Sequence, residues 1–311
     1  MKIDQCRISG PYTHENLTVF LVHRAGASDT DEYLTLEEAL DQKKILIHET
    51  GNVRQLEVEN LLDDRDIYIQ AGELVRGGRQ DRTLGVDFVL PAGKRMPIPS
   101  FCVEMSRWHP RGVESAAAFS SSKHYLTSKP MKLAAKLHHN QSAVWASVAA
   151  YEQKVSQAVG APVCHHMSPS SLELMLEHKK LGERRDQIVK ALKGLAGQHA
   201  DAVGFAFAIN GELNSAEAYT SPRLFHKLWK KLVTSAAVEA ISEQTRQTQQ
   251  KPEPTPEVVA RFLAESEEAN AESREITDRV VLRTHRQPKS VLFETQDKKS
   301  PHPWLHRNYI T

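Results

Sequence analysis

The chain has 311 residues, of which 40% are hydrophobic and 25% charged, with a formal net charge of +1. That length and composition fit a globular protein of two domains, or of one large domain with an appendage. The near-neutral charge gives no global field to draw in nucleic acid or an acidic membrane, so neither is expected as a partner. Cys6, Cys102 and Cys164 are the three cysteines, an odd count without a disulfide framework. No run approaches the ~18 apolar residues of a membrane span. Met1 to Cys6 lack the apolar centre of a secretory leader, so the cytoplasm is the expected compartment.

Leu17 to Val22 is apolar on both faces and predicts a buried strand. Thr35 and Glu38 have the spacing of a capping box and open a short helix buried through Leu36, Ala39 and Leu40. Ile45 to Glu49 predicts a strand. Leu56 and Val58 alternate with Glu57 and Glu59 as in a half-buried one. Ile67, Ile69 and Ala71 share the face of the next. Gly77-Gly78 breaks the pattern, Leu84, Val86, Phe88 and Leu90 alternate beyond it, and Ile98 to Met105 predicts a further strand. About six strands with closely spaced turns make residues 1–110 a β-sandwich or jelly-roll-like unit.

Residues 111–134 have little periodicity and read as a long loop. Val144, Val148, Tyr151, Val155 and Val159 recur at helical spacing, and Gly160 is the stop. Ser168-Pro169 predicts a helix start ahead of Leu172, Met175 and Leu176, with Gly182 ending or bending that helix. Ile188, Leu192 and Leu195 carry another. Val203, Phe205, Phe207 and Ile209 alternate up to Asn210-Gly211, a pair suited to a two-residue hairpin turn because both positions need positive φ. Ser221-Pro222 opens a helix whose inner face is Leu224, Phe225, Leu228, Leu232 and Ala236. Residues 135–244 are therefore a mixed α/β portion. Residues 245–275 read as a Gln- and Pro-rich linker with one short helix, and residues 276–311 as C-terminal strands and a tail. The expected fold class is α+β.

The chemistry concentrates in two stretches. Gly77 and Gly78 allow a sharp turn and a close ligand approach, and successive amides there can form an anion-binding nest. Arg76, Arg79 and Arg82 offer fork-shaped donors that match phosphate or carboxylate, and Arg107 can add a charge clamp. Gln80 can donate and accept, and Asp81 can orient an arginine or serve as a base. The alternative is a plain turn whose arginines face water. Gly-x-x-x-x-Gly-Lys-Ser/Thr and Gly-x-Gly-x-x-Gly are both absent, so this is no nucleotide loop of those kinds.

Cys102 and Glu104 share one strand face. Glu104 can act as a general base or form an ion pair with Arg82 or Arg107. Cys102 can be a nucleophile or a buried structural thiol. Trp108 stands where a cysteine phosphatase needs its arginine. It is an aromatic plate that can stack on a base, on a sugar or internally. Gln141 and Trp145, four apart on one helix edge, can close a cleft. The neighbouring histidines at 138–139 and 165–166 make poor chelates, and no Cys-x-x-Cys or His-Glu-x-x-His occurs, so no metal is expected. No cofactor is indicated.

At Gly77-Gly78-Arg79-Gln80-Asp81-Arg82, Cys102-Val103-Glu104, Arg107-Trp108, Gln141 to Trp145 and Asn210-Gly211 before Leu224 to Trp229, the chain resembles a bacterial family. It is the ARG-and-rhodanese-phosphatase-superfamily-associated protein domain. The likeness covers residues 10–245 and 275–311, with 245–275 as an addition. The resemblance implies association with rhodanese- or phosphatase-type domains and assigns no catalytic residue. From the residues themselves the leading expectation is a module that holds a small anionic ligand or a partner's acidic segment in a cleft. That cleft is lined by Arg79, Gln80, Asp81, Arg82, Glu104, Arg107 and Trp108. One alternative is a hydrolase of phosphorylated or nucleotide-like substrates, with Glu104 or Asp81 as base. The other is a structural scaffold that assembles with other chains.

Overall fold

The computed structural model describes residues 6–26, 33–105, 107–109, 119–165, 168–244 and 251–311, with only the backbone at 121–124. From the N-terminus come strands β1 (Arg7–His14), β2 (Leu17–His23) and β3 (Tyr33–Thr35), then helix α1 (Leu36–Asp41). Next are β4 (Ile45–Glu49), β5 (Gln55–Asn60), β6 (Asp66–Ile69), β7 (Glu73–Gly77), β8 (Arg82–Leu84), β9 (Phe88–Leu90), β10 (Arg95–Cys102) and β11 (Phe119–Leu126). Helices α2 (Lys129–Lys132), α3 (Gln141–Val159), α4 (Leu172–Leu176) and α5 (Lys179–Leu192) precede the hairpin of β12 (Ala202–Ile209) and β13 (Glu212–Tyr219). The chain closes with α6 (Pro222–Ser242), α7 (Pro256–Ser266), β14 (Ala271–Glu275), β15 (Val280–Gln287), β16 (Ser290–Asp297) and β17 (His306–Ile310). The class is α+β, as expected.

The chain divides into two compact units. One gathers the described residues of 1–31, 187–240 and 244–311, and the other those of 32–186 with 241–243. In the first, eight strands run in the order β1-β2-β12-β13-β17-β16-β15-β14. β2 is buried along its whole length because the sheet is covered on both faces. Phe20, Val22, Ala206, Ala218 and Tyr309 pack with Val259 and Leu263 of α7 on one side. On the other, Phe225 and Trp229 of α6 pack against Tyr219 and Phe205. The β12–β13 turn is the expected one, with Asn210 at φ 54° and Gly211 at φ 82°.

The second unit holds a six-stranded sheet, β11-β7-β8-β10-β5-β4, and a three-stranded one, β3-β6-β9. The capping box of α1 is present, with Glu38 N donating to Thr35 Oγ1 and Thr35 N donating to Glu38 Oε2. Gly160 ends α3 in the left-handed conformation.

Several expected boundaries need correction. The β-rich stretch of 1–110 is not one body, since β1 and β2 join β12 in the first unit. Alternation marks a strand but carries no information on its partner. The expected loop of 111–134 contains β11, paired with β7, and α2, while 111–118 lie outside the described residues. Ser121 to Leu126 carries a register shift, and its run of serines has no alternation to read. The cap of α4 is Ser171 rather than Ser168, and α5 runs straight through Gly182. β14 occupies the end of the expected linker. It is an exposed edge strand, Ala-Glu-Ser-Arg-Glu, whose charges suit an edge but leave no apolar face as a signal.

Candidate functional site

Both polar stretches lie in the second unit, and the sheet explains why they meet. β8 pairs with β7 on one side and with β10 on the other, so Arg82 stands opposite both Val75 and Cys102. The turn from Gly77 to Asp81 thus faces the residues that follow β10. Gly78 has φ +58°, and a Cβ there would lie 2.3 Å from the Phe119 ring. Only glycine fits that position.

Beyond the sheet the two stretches stitch together. Val103 N donates to Asp81 O at 3.1 Å, Asp81 N to Glu104 Oε2 at 3.1 Å, and Gln80 Nε2 to Glu104 O at 3.0 Å. Arg107 Nη2 lies 2.6 Å from Glu104 Oε2 and 3.5 Å from Asp81 Oδ1. Asp81 also accepts from Gly77 N at 3.1 Å and from Ser171 Oγ at 3.2 Å. Gln141 grips the backbone of Cys102 in both directions, accepting from its N at 2.9 Å and donating to its O at 2.8 Å. Asp81, Arg82, Cys102, Glu104 and Arg107 are all buried.

Charge is therefore balanced inside the protein. Burial alone would raise the Glu104 carboxyl, but Arg107, Ser168 and the Asp81 amide outweigh it and hold the group below the ordinary carboxylate range. Burial pushes the Cys102 thiol up, with the Glu104 backbone, Trp145 and Arg82 pulling the other way. A raised thiol buried in this way is a poor nucleophile. Of the two roles open to Glu104, the ion pair with Arg107 is the one present. The open cleft expected from the sequence is corrected on the same ground. Its acids and guanidinium groups face each other, because a buried charge is costly unless paired.

Arg82 departs from this balance. Its Nη1 donates to Gln80 O at 3.2 Å and to Gln80 Oε1 at 3.1 Å. Among the described residues its Nε and Nη2 have no hydrogen-bond partner. Glu49 Oε2 is 3.6 Å from Nη2, an ion-pair distance beyond hydrogen-bond reach. Burial lowers the Arg82 value, with Cys102, Glu49 and Asp81 opposing. The Arg82 guanidinium carbon lies 5.9 Å from the Trp108 ring centroid, and that of Arg79 lies 5.4 Å from it. Trp108 stacks internally with these two arginines. It is 45% exposed, and Arg79 is exposed beside it.

The structure thus brings together Gly77, Gly78, Arg79, Gln80, Asp81, Arg82, Cys102, Glu104, Arg107, Trp108 and Gln141. Trp145 is half-buried on α3 against Cys102. Sequence reasoning missed Glu49, Ser168 and Ser171. The sequence places the α4 cap at Ser168 instead of Ser171, and the bond from Ser171 to Asp81 depends on an isolated bridge between Glu104 and Ser171. Of the sequence's candidate metal histidines, His166 lies outside the described residues. Among the described residues no helix is long and apolar enough to cross a membrane.

Neither the curated proteins nor the solved structures hold a match to this chain. A family model matches residues 5–306, including the stretch at 245–275 expected to be an addition. The chain belongs to the family of the ARG and Rhodanese-Phosphatase-superfamily-associated Protein domain.

Proposed function

We propose that this protein is a binding module for a small anion, a phosphate or carboxylate group gripped by Arg82. The observation that carries the reading is the edge of that guanidinium that makes no hydrogen bond among the described residues. Nε and Nη2 are the two donors of one side of the fork, the side that meets a carboxylate or phosphate in two parallel hydrogen bonds. A buried donor left unmade costs roughly 1–3 kcal/mol, so a fold that keeps two of them invites an acceptor. Arg79 and Trp108 stand at the solvent side of Arg82 and supply a second cation and a stacking plate for whatever carries the anion.

The hydrolase reading has no observation of its own. A carboxylate held below its usual range is a weak base, and Glu104 would first have to leave Arg107. A scaffold role likewise rests on nothing specific to this site.

The test is thermal shift and calorimetry with inorganic phosphate, nucleotides, sugar phosphates and ADP-ribose. At least one should raise the melting temperature of the wild type. Arg82→Lys, which keeps the charge and loses the fork, should abolish the shift, and Arg79→Ala should weaken it. No shift from any compound, or an equal shift in Arg82→Lys, ends the reading.

A further inference from the structure

A second polar cluster, in the first unit, was not marked by any motif. Ser9 and Tyr12 come from β1, His23 from the end of β2, and His199 and Asp201 from the turn before β12. β1 and β2 fall out of register between Ser9 and Tyr12. Ser9 opposes Leu21 and Tyr12 opposes Val19, so β1 spends one extra residue there. A regular strand would put Tyr12 on the opposite face from Ser9. The bulge turns it to the same face, and Tyr12 OH donates to Ser9 Oγ at 3.4 Å. His199 O accepts from Ala202 N at 3.0 Å, and that turn sets His199 and Asp201 beside His23, whose strand partner is Ala202.

One ring nitrogen of each histidine and a carboxylate oxygen of Asp201 lie within 4.8 Å of one another. His23 Nδ1 is 2.9 Å from Asp201 Oδ1, and the two imidazoles stand edge to face at 5.3 Å. The remaining contacts fix the rings. His23 Nε2 is 2.7 Å from Ser9 Oγ, and His199 Nε2 is 3.2 Å from Tyr12 OH. Each histidine therefore has its Nε2 at a hydroxyl, and Nδ1 of His23 faces Asp201 Oδ1, so an ion entering there would take the place of that hydrogen bond. Metal-binding histidines are ordinarily held in this way through the second nitrogen. Arg7 Nη2 holds the other Asp201 oxygen at 3.1 Å, and both side chains of that pair are more than half exposed.

We propose that His23, His199 and Asp201 bind one divalent transition-metal ion of the zinc class, with Ser9 and Tyr12 as positioning residues. Two imidazoles and a carboxylate are a donor set for zinc or its neighbours, and three protein ligands leave a position open for water or a small ligand. Arg7, on the solvent side, is free to swing away from Asp201 as the ion enters. This site is separate from the Arg82 site and stands or falls without it.

The full-length protein, stripped with chelator, is titrated with zinc chloride by calorimetry and with cobalt(II) by visible absorbance. The expected result is one ion per chain and a cobalt spectrum of low-coordinate nitrogen and oxygen ligation. Tyr12→Phe should weaken zinc binding about 10-fold, the lower end of the usual loss for a ring-holding partner. His199→Ala and Asp201→Asn, at half-exposed and exposed positions, should weaken it further while leaving the circular dichroism intact. A double His138→Ala, His139→Ala control should bind as the wild type does. No stoichiometric binding, or binding unchanged in folded His199→Ala and Asp201→Asn, overturns the proposal. Ser9, His23 and Asp201 also stand in the order of a serine nucleophile's relay. A serine-directed fluorophosphonate that labels Ser9 in the zinc-saturated protein would equally overturn it.

Discussion

Two clusters of charge are built in this chain, one around Glu104 and one around His23, and they differ in where their partners lie. Around Glu104 every acid meets a buried guanidinium or amide, and the side chains of Glu104 and Arg107 are 0% and 4% exposed. Around His23 the imidazole is buried, but its carboxylate partner Asp201 is 52% exposed. Where both partners are buried, their charges are spent on holding two strand ends together. Where one faces water, the same kinds of group remain available to a ligand. Within the first cluster Arg82 keeps that availability along one whole edge of its fork, where neither Nε nor Nη2 has a hydrogen-bond partner among the described residues.

The sharpest way to break the comparison is to remove one partner on each side. Glu104→Gln removes the nearer of the two carboxylates on buried Arg107 and leaves only Asp81 at 3.5 Å, which should cost about 3 kcal/mol of stability, measured by urea denaturation. The same variant should change the acid limb. A carboxyl held below its unfolded value of about 4.3 contributes stability at neutral pH that fades as pH falls through the folded value. The wild type should therefore lose stability below about pH 4.3 more steeply than Glu104→Gln. Gln141→Ala leaves the N–H and C=O of buried Cys102 without their partners and should cost roughly 2–4 kcal/mol. Asp201→Asn breaks a solvent-exposed pair with Arg7 and should cost under about 1 kcal/mol. If Asp201→Asn destabilised as much as Glu104→Gln, the contrast between the clusters would be gone.

Much of this was legible in the sequence. The capping box at Thr35, the stop at Gly160 and the Asn210-Gly211 turn follow from local chemistry that the fold did not override. The residues of the Arg82 site were legible as a set, since glycines, arginines and acids at strand ends stand out. Their state was legible as a choice: the ion pair of Glu104 with Arg82 or Arg107 stood beside the general base, and the 2.6 Å approach of Arg107 Nη2 to Glu104 Oε2 decides between them. The His23 cluster was invisible for a stronger reason. His23 and Asp201 lie 178 positions apart, and they meet only because β2 pairs with β12. Tyr12 faces Ser9 only because of one extra residue in β1, which no periodicity announces.

The most direct measurement is a crystal structure of the protein grown or soaked in saturating phosphate. The account predicts anion density bridging Nε and Nη2 of Arg82, with Trp108 and Arg79 at its solvent side. A map in which no anion lies within hydrogen-bond distance of either nitrogen, and Glu49 has closed onto Nη2 instead, would contradict it.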